Sequence, residues 1–202
     1  MFKKTAITQV PIADVIAHRW SGRAFDPGRP VSRAQLLALL EAARWAPSCF
    51  GEQPWRYIIF DKYSDEAGWT KALNCVTEGN QGWAKNAPLL ILAVADARFS
   101  RDGRSNRWGQ YDTGAASENI CLQATSMGLM VHQMGGFDAD KARAVFEVPE
   151  PYGCMAMIAI GYQLPLAAMP EEVRKREMAE RGRRPLHQTF FEGEWGTPVK
   201  IE

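Results

Sequence analysis

Residues 87–95 read Ala-Pro-Leu-Leu-Ile-Leu-Ala-Val-Ala and form the longest apolar stretch of the chain. These nine residues are about half of the ~20 that a helix needs to cross a bilayer. An amphipathic helix would mix apolar and polar residues with a period near 3.6, whereas this stretch is unbroken. A short apolar run between Pro88 and Asp96 is typical of a strand that is covered on both faces. The stretch therefore predicts a buried strand of a central sheet.

Further helices and strands alternate on either side of this strand. Ser32 and Gln35 have the spacing of a capping box, which predicts a helix ending near Trp45. Short apolar runs predict strands at 57–60, 130–134 and 155–162, and helical spacing predicts helices from 69 to a stop near Gly79, at 112–127, at about 138–147 and at 171–180. Asp112 or Thr113 is expected to cap the helix at 112–127, and Gly128 to end it. This order predicts an α/β or α+β fold around one sheet.

The C-terminal segment has a different pattern. Leu186, Phe190, Phe191 and Trp195 are apolar but follow neither a helical nor a strand period. Such an arm has to lie against something, because exposed aromatic surface is unfavourable in water. Two interpretations remain open: the arm packs on its own domain, or it wraps around a second subunit.

Length and composition set limits on function. A chain of 202 residues with 46% hydrophobic and 23% charged residues is typical of a globular protein, and we expect one domain over residues 1–202. A net charge of +1 argues against a dedicated nucleic-acid binder. The four cysteines form no CxxC pair, and the first ten residues lack an apolar run. We therefore expect a cytoplasmic protein with no structural zinc and no membrane anchor.

Two clusters of arginines are candidate anion sites. In an extended backbone, Arg19, Ser21 and Arg23 point to the same side. Two guanidinium groups flanking a hydroxyl suit a phosphate, although a solvated basic turn has the same composition. Arg181, Arg183 and Arg184 form a second cluster with the same two interpretations.

Two loops offer polar and backbone groups to a ligand. Residues 46–55 follow a predicted helix and could hydrogen-bond a planar polar ring, or could simply connect that helix to a strand. Gly135 and Gly136 follow a predicted strand and permit close approach of the backbone to a ligand, or a plain turn. His18, His132 and His187 fit no ligand or triad pattern, and we interpret them as structural. No GxGxxG, P-loop, HExxH or GxSxG motif is present.

Taken in order, these segments resemble the nitroreductase-like flavoprotein family. Arg19-Trp20-Ser21-Gly22-Arg23 is similar to the family's RRSxR opening, and the stretch from Ala46 to Trp55 is similar to its APSSxNxQPW signature. The resemblance continues through 80–88, 112–114 with Asn119, 128–137 and 183–186, which covers nearly the whole chain. It implies an α+β fold, an α/β sandwich in which a central mixed sheet is flanked by helices, with an extended C-terminal arm.

The resemblance also implies a homodimer that binds FMN at the subunit interface. It implies that the phosphate and ribityl chain contact Arg19, Trp20, Ser21, Arg23, Arg181 and Arg183, and that the ring contacts Asn80, Gln133, Met134, Gly135 and Gly136. The partner copy would contribute Pro47, Ser48, Cys49 and the position of Gly51 to the same site, and Gln53 is a further cofactor-binding residue. The chain departs from the family pattern at Gly51, where Asn is usual, and at Trp20, where a second Arg is common.

FMN accepts a hydride itself, so no catalytic side chain is expected. The resemblance implies a ping-pong cycle in which NAD(P)H reduces FMN and leaves, and a nitroaromatic, quinone or similar small acceptor is then reduced. Residues 98–109, with Phe99 and Trp108, are the candidate lid over the acceptor, or a plain surface loop. Reductive dehalogenation, flavin processing and flavin binding without turnover are the alternatives.

Overall fold

Four strands between residues 55 and 161 form one sheet in the computed structural model, which describes residues 2–201. These strands are β1 (Trp55–Asp61), β2 (Leu89–Asp96), β3 (Met130–Met134) and β4 (Tyr152–Gly161). Their order across the sheet is β1-β2-β4-β3. Strand β2 pairs with β1 on one side and with β4 on the other, and Leu89 to Ala95 are all buried. The prediction of a strand covered on both faces is confirmed.

Seven helices surround this sheet within the described residues: α1 (Asp14–His18), α2 (Arg33–Arg44), α3 (Glu66–Leu73), α4 (Glu78–Ala84), α5 (Gly109–Ser126), α6 (Ala139–Val145) and α7 (Glu171–Met178). Leu90, Leu92 and Val94 of β2 pack on one face with residues of α3, α4 and α6. The alternating residues Leu89, Ile91 and Ala93 pack on the other face with α2 and α5. The result is a sheet between two helical layers, and the predicted α+β class is confirmed.

The pairing of the strands corrects one expectation. A mixed sheet was expected, but the pairings β1–β2, β2–β4 and β3–β4 among the described strands are all antiparallel. Helix α5 connects β2 to β3, and these two strands do run in the same direction. Strand β4 lies between them, so the strands joined by this helical crossover are not hydrogen-bonded to each other.

Side-chain caps explain where two helices begin. The backbone N–H of Gln35 donates to Ser32 Oγ at 3.2 Å, and the N–H of Ser32 donates to Gln35 Oε1 at 3.1 Å. The predicted capping box of α2 is therefore present. Asp65 caps α3, which ends at Leu73, earlier than expected. Gly79 lies inside α4 and does not stop the preceding helix, because the chain starts a new helix after Thr77.

Helix α5 begins at Gly109, three residues before the expected cap. Asp112 and Thr113 are buried within its first turns and do not cap it, which corrects that prediction. Gly109 allows the early start because glycine has no Cβ, and the Cβ of any other residue at this position would lie 2.1 Å from the backbone oxygen of Asp96. Gly128, with a φ of +71°, ends the helix as predicted.

The C-terminal arm contains a small hairpin. Phe191 pairs with Pro198, and the N–H of Glu192 donates to the carbonyl oxygen of Thr197 at 2.9 Å. Trp195 at its tip is 93% exposed and Phe190 is 57% exposed. Within the described residues, most of the surface of these two aromatic side chains is therefore exposed to solvent.

Candidate functional site

A cavity of about 340 Å³ lies where the two ends of the chain meet. Its wall contains six cationic side chains and one acid, together with Trp20, Ser21 and His132; the charged residues are Lys4, Arg19, Arg23, Arg176, Glu177, Arg181 and Arg183. All six residues that were predicted to contact the phosphate and ribityl chain therefore surround one space, and they come from both predicted arginine clusters. We call it the cationic cavity.

The segment that follows α1 is extended, and Arg19, Trp20, Ser21 and Arg23 of this segment line the cavity. Arg19 ends α1 with a ψ of 125°, and its Nη1 lies 3.4 Å from Ser21 Oγ. Trp20 packs against the core, and Lys4 Nζ lies 4.7 Å from its ring centroid. Gly22 packs closely on β3, because a Cβ here would lie 2.1 Å from Met130 Sδ and that side chain would have to move. The close approach of this backbone to β3 places Arg19 and Ser21 toward the cavity.

Glu177 of α7 anchors that segment. Its side chain is only 2% exposed, and both carboxylate oxygens accept from the backbone N–H of Arg23, at 3.1 and 3.2 Å. Lys4 Nζ donates to the backbone oxygen of Glu177 at 2.8 Å, and Arg176 Nε lies 4.0 Å from the carboxylate. A buried carboxylate needs such partners because desolvation of a charge is costly. Glu177 thus connects the tail, residues 19–23 and the N-terminal segment.

The cations of the cavity outnumber this acid and repel one another. Arg181 donates to the backbone oxygens of Ala17 and Arg19, the latter at 2.6 Å. Burial, with Arg19 and Arg183 nearby, lowers the pKa of Arg181. Burial also lowers the pKa of Lys4; Arg181 adds to this effect, and Glu177 opposes it. A set of crowded guanidinium groups fits a bound anion such as the phosphate of FMN, which would offset the repulsion.

Four of the predicted ring-binding residues, 133–136, lie at the end of β3, and the fifth, Asn80, lies in α4. Asn80 Nδ2 donates to the oxygen of Gly136 at 3.2 Å, and Asn80 Oδ1 accepts from Trp83 Nε1 at 3.2 Å. A Cβ at Gly136 would lie 2.4 Å from Asn80 Nδ2, so this glycine serves internal packing. A Cβ at Gly135 would meet nothing within 4 Å, so its backbone faces open space. Gln133 Nε2 lies 3.2 Å from Cys121 Sγ of α5, which belongs to the helical layer on the other face of the sheet.

The loop at 47–53 lies elsewhere on the chain. The N–H of Cys49 donates to Asp112 Oδ2 at 2.9 Å, in the first turn of α5, and the N–H of Gln53 donates to Ser48 Oγ at 3.0 Å. None of residues 47–53 lines the cationic cavity within the described chain. Gly51 has a φ of +69°, a conformation that glycine adopts freely and asparagine tolerates better than most residues. The usual Asn and this Gly therefore suit the same backbone.

The candidate lid packs on that loop. The ring of Phe99 meets Phe50 edge to face at 6.1 Å, and the guanidinium of Arg101 lies 4.3 Å from the centroid of Phe50. The N–H of Ser100 donates to Glu52 Oε1 at 2.6 Å. Hydrogen bonding by the side chain of Ser100, and then by this N–H, lowers the pKa of Glu52. Residues 98–101 and 49–52 thus form one unit, and Phe99 does not cover the cationic cavity of its own chain.

Trp108, the second lid candidate, precedes α5 and is 41% exposed. Its ring lies 6.3 Å from that of Tyr111 in an edge-to-face arrangement. Like Phe99, it lies outside the wall of the cationic cavity.

Four residues of the cavity wall had no predicted role there: Lys4, His132, Arg176 and Glu177. Lys4 and Glu177 are far apart in sequence, and Glu177 lies in a helix whose charge pattern is typical of a solvated face. No local pattern distinguishes them. Only the packing of the tail against residues 19–23 brings them together.

Within residues 2–201, no three His, Cys, Asp or Glu side chains are grouped so that they could hold a metal ion. No helix in the same range is long and apolar enough to cross a membrane.

Comparisons with known proteins agree with this architecture. A model of the Nitroreductase family matches residues 16–162. The protein DrgA of Synechocystis sp. is 30% identical over 172 residues, covering 73% of this chain and 82% of the relative. The major NAD(P)H-flavin oxidoreductase of Aliivibrio fischeri is 22% identical over 193 residues, covering 77% of this chain and 88% of the relative. A crystal structure described as an oxidoreductase containing FMN superposes with a TM-score of 0.88 at 32% identity, covering 98% of this chain and 99% of that one.

Proposed function

Since this chain belongs to the nitroreductase family of oxidoreductases, we propose that it is an FMN-dependent NAD(P)H oxidoreductase that reduces a nitroaromatic, quinone or similar small acceptor. The similar crystal structure contains FMN, and a relative is an NAD(P)H-flavin oxidoreductase. The observation that carries the proposal is the cationic cavity, in which arginines from both ends of the chain surround one space.

The residues of the cavity would hold the phosphate. The guanidinium groups of Arg19, Arg23 and Arg183 line the wall and supply paired N–H donors, which phosphate oxygens accept bidentately. Arg181 already donates to two backbone oxygens, so its role is to shape residues 17–19 and to add charge. Ser21 adds a hydroxyl on the same side.

The end of β3 would hold the flavin ring. Its open backbone at Gly135 can face a planar ligand, while the bond from Asn80 to Gly136 keeps the turn in place. When bound, FMN supplies the hydride chemistry that the side chains of this chain lack. NAD(P)H and the acceptor would occupy the same space in turn, which makes the proposed cycle ping-pong.

We further propose that the working unit is a homodimer of one FMN-binding domain. The loop at 47–53 and Phe99 lie away from the cavity of their own chain, as expected if they serve the partner's site. Exposed apolar residues support a second copy: Ile7 is 77% exposed, Tyr111 75% and Trp195 93%. A second subunit would cover them and favour association. We keep the cytoplasm as the predicted location.

The visible absorption spectrum of the purified protein tests the cofactor. We expect flavin bands that bleach on anaerobic addition of NADH or NADPH and return when an acceptor is added. A colourless protein that neither binds added FMN nor oxidises NAD(P)H with it would refute the proposal. Light scattering tests the dimer, with twice the 22.6 kDa chain mass expected.

A further inference from the structure

His132 forms part of the floor of the cationic cavity. It lies in β3, its Nδ1 is 3.1 Å from the backbone oxygen of Gly22, and its ring centroid is 4.6 Å from that of Trp83. A carbonyl oxygen only accepts, so Nδ1 carries the proton in this contact. In the neutral ring Nε2 is then a bare acceptor, and no donor among residues 2–201 occupies it. Nε2 is therefore the nitrogen of His132 that can bind a ligand in the cavity.

The charges that face His132 come from four parts of the chain. They are Lys4 in the N-terminal segment, Arg19 and Arg23 beside β3, Arg176 and Glu177 of α7, and Arg181 and Arg183 of the tail. From α4 it meets the uncharged ring of Trp83. Burial is the main cause that lowers the pKa of His132; Arg23 and Arg19 lower it further, while the bond to Gly22 opposes them. Without an anion, the neutral form of the ring is therefore favoured.

We propose that His132 is a further phosphate-binding residue, and that it takes up one proton from solvent when a phosphate monoester dianion enters the cavity. The proton adds to Nε2, Nδ1–H stays on Gly22, and the imidazolium donates Nε2–H to a phosphate oxygen. An opposite charge within about 4–6 Å favours the charged form of a group by about 1–3 pKa units. The dianion also offsets Arg19 and Arg23, which disfavour the imidazolium in the empty cavity.

Proton and anion binding are then coupled reciprocally. If the anion raises the proton affinity of His132 by a factor, the proton raises the anion affinity by the same factor. The inference rests on the proposed function in taking FMN as the phosphate monoester. The second pKa of such a phosphate is about 6, so the ligand keeps its charge above pH 7. Any loss of FMN affinity as the pH rises above 7 is then caused by titration of the protein and not of the phosphate.

The first test measures FMN binding between pH 7.0 and 8.5 by quenching of flavin fluorescence. For the wild type, the dissociation constant should rise by up to about tenfold per pH unit. For His132→Asn, whose amide still donates to Gly22, it should stay flat. Riboflavin, which lacks the phosphate, should show no such rise with either protein. His187→Asn, at an exposed histidine outside the cavity, should behave like the wild type.

Calorimetry in two buffers with different heats of ionisation counts the protons taken up with FMN. Near pH 7 the wild type should take up close to one proton, and His132→Asn close to none. Equal uptake by the two proteins, or equal pH dependence of their FMN binding, would overturn the inference while leaving the proposed function intact.

The imidazole resonances of the wild type give a test that needs neither a variant of His132 nor FMN. The chain has three histidines, and His18→Asn and His187→Asn assign the other two. Inorganic phosphate should raise the pKa of His132 alone. If FMN fails to bind and phosphate still raises this pKa, the proposed function fails and the inference stands. If neither ligand moves it, the inference is wrong.

Discussion

Replacing Glu177 tests how the two ends of the chain are held together. Glu177→Ala removes the acceptor for the N–H of Arg23 and leaves six cations in the cavity wall without their acid. Breaking a buried ion pair by removing one partner costs about 3–5 kcal/mol. Arg176 lies 4.0 Å away and its side chain is 44% exposed, so solvent screens part of the unpaired charge. We expect the free energy of unfolding to fall by about 3 kcal/mol, the low end of that range.

Urea unfolding of three variants measures this value. Glu177→Gln keeps an oxygen that accepts from Arg23 and should cost only about 1 kcal/mol. Glu172→Ala, at an 88% exposed acid of the same helix, should change stability by less than about 0.5 kcal/mol. Phosphate in the buffer should stabilise Glu177→Ala more than the wild type, because the anion replaces the missing negative charge. A loss below about 1 kcal/mol for Glu177→Ala, or equal stabilisation by phosphate, would refute this reasoning.

Three further predictions concern stability. Gly109→Ala should lower the free energy of unfolding in urea by about 1–3 kcal/mol, because its Cβ would meet the backbone of Asp96. Gly79→Ala, where a Cβ has open space, should raise the free energy of unfolding by about 0.5–1 kcal/mol. Equal effects of the two substitutions would contradict the geometry. Ser32→Ala should lose about 1 kcal/mol with its cap and lower the melting temperature. Burial raises the pKa of Tyr57 to about 12. Because that pKa is higher in the folded state than the usual value near 10, stability present at lower pH should be lost between pH 10 and 12, and Tyr57→Phe should remove this loss.

The sheet could be predicted from the sequence because burial leaves a local pattern. Residues 87–95 contain no polar side chain, and so short an apolar run between Pro88 and Asp96 favours a strand with both faces covered. The start of α5 could not be predicted in the same way. Asp112 has the residue type of a cap, but its carboxylate accepts from Cys49, which is far away in sequence. A side chain used in tertiary structure has the same local pattern as one used in a cap.

The residues of the candidate site fall into the same two groups, those with a local sequence pattern and those without one. Arg19, Ser21 and Arg23 were predictable because an extended backbone alone places them on one side. Glu177 was not, because its burial depends on the tail packing against residues 19–23. His132 was interpreted as structural because it fits no ligand or triad pattern in the sequence. Its place in the cavity follows from the contact between β3 and Gly22.

The cationic cavity takes its wall from segments far apart in sequence, from Lys4 to Arg183. The last strand of the sheet ends at Gly161, so the cavity residues of α7 and of the tail follow the sheet and depend on packing against residues 19–23 for their positions. A ligand that binds only the assembled cavity stabilises this packing by mass action. Proteolytic cleavage between residues 171 and 184 should therefore become slower when the ligand is bound.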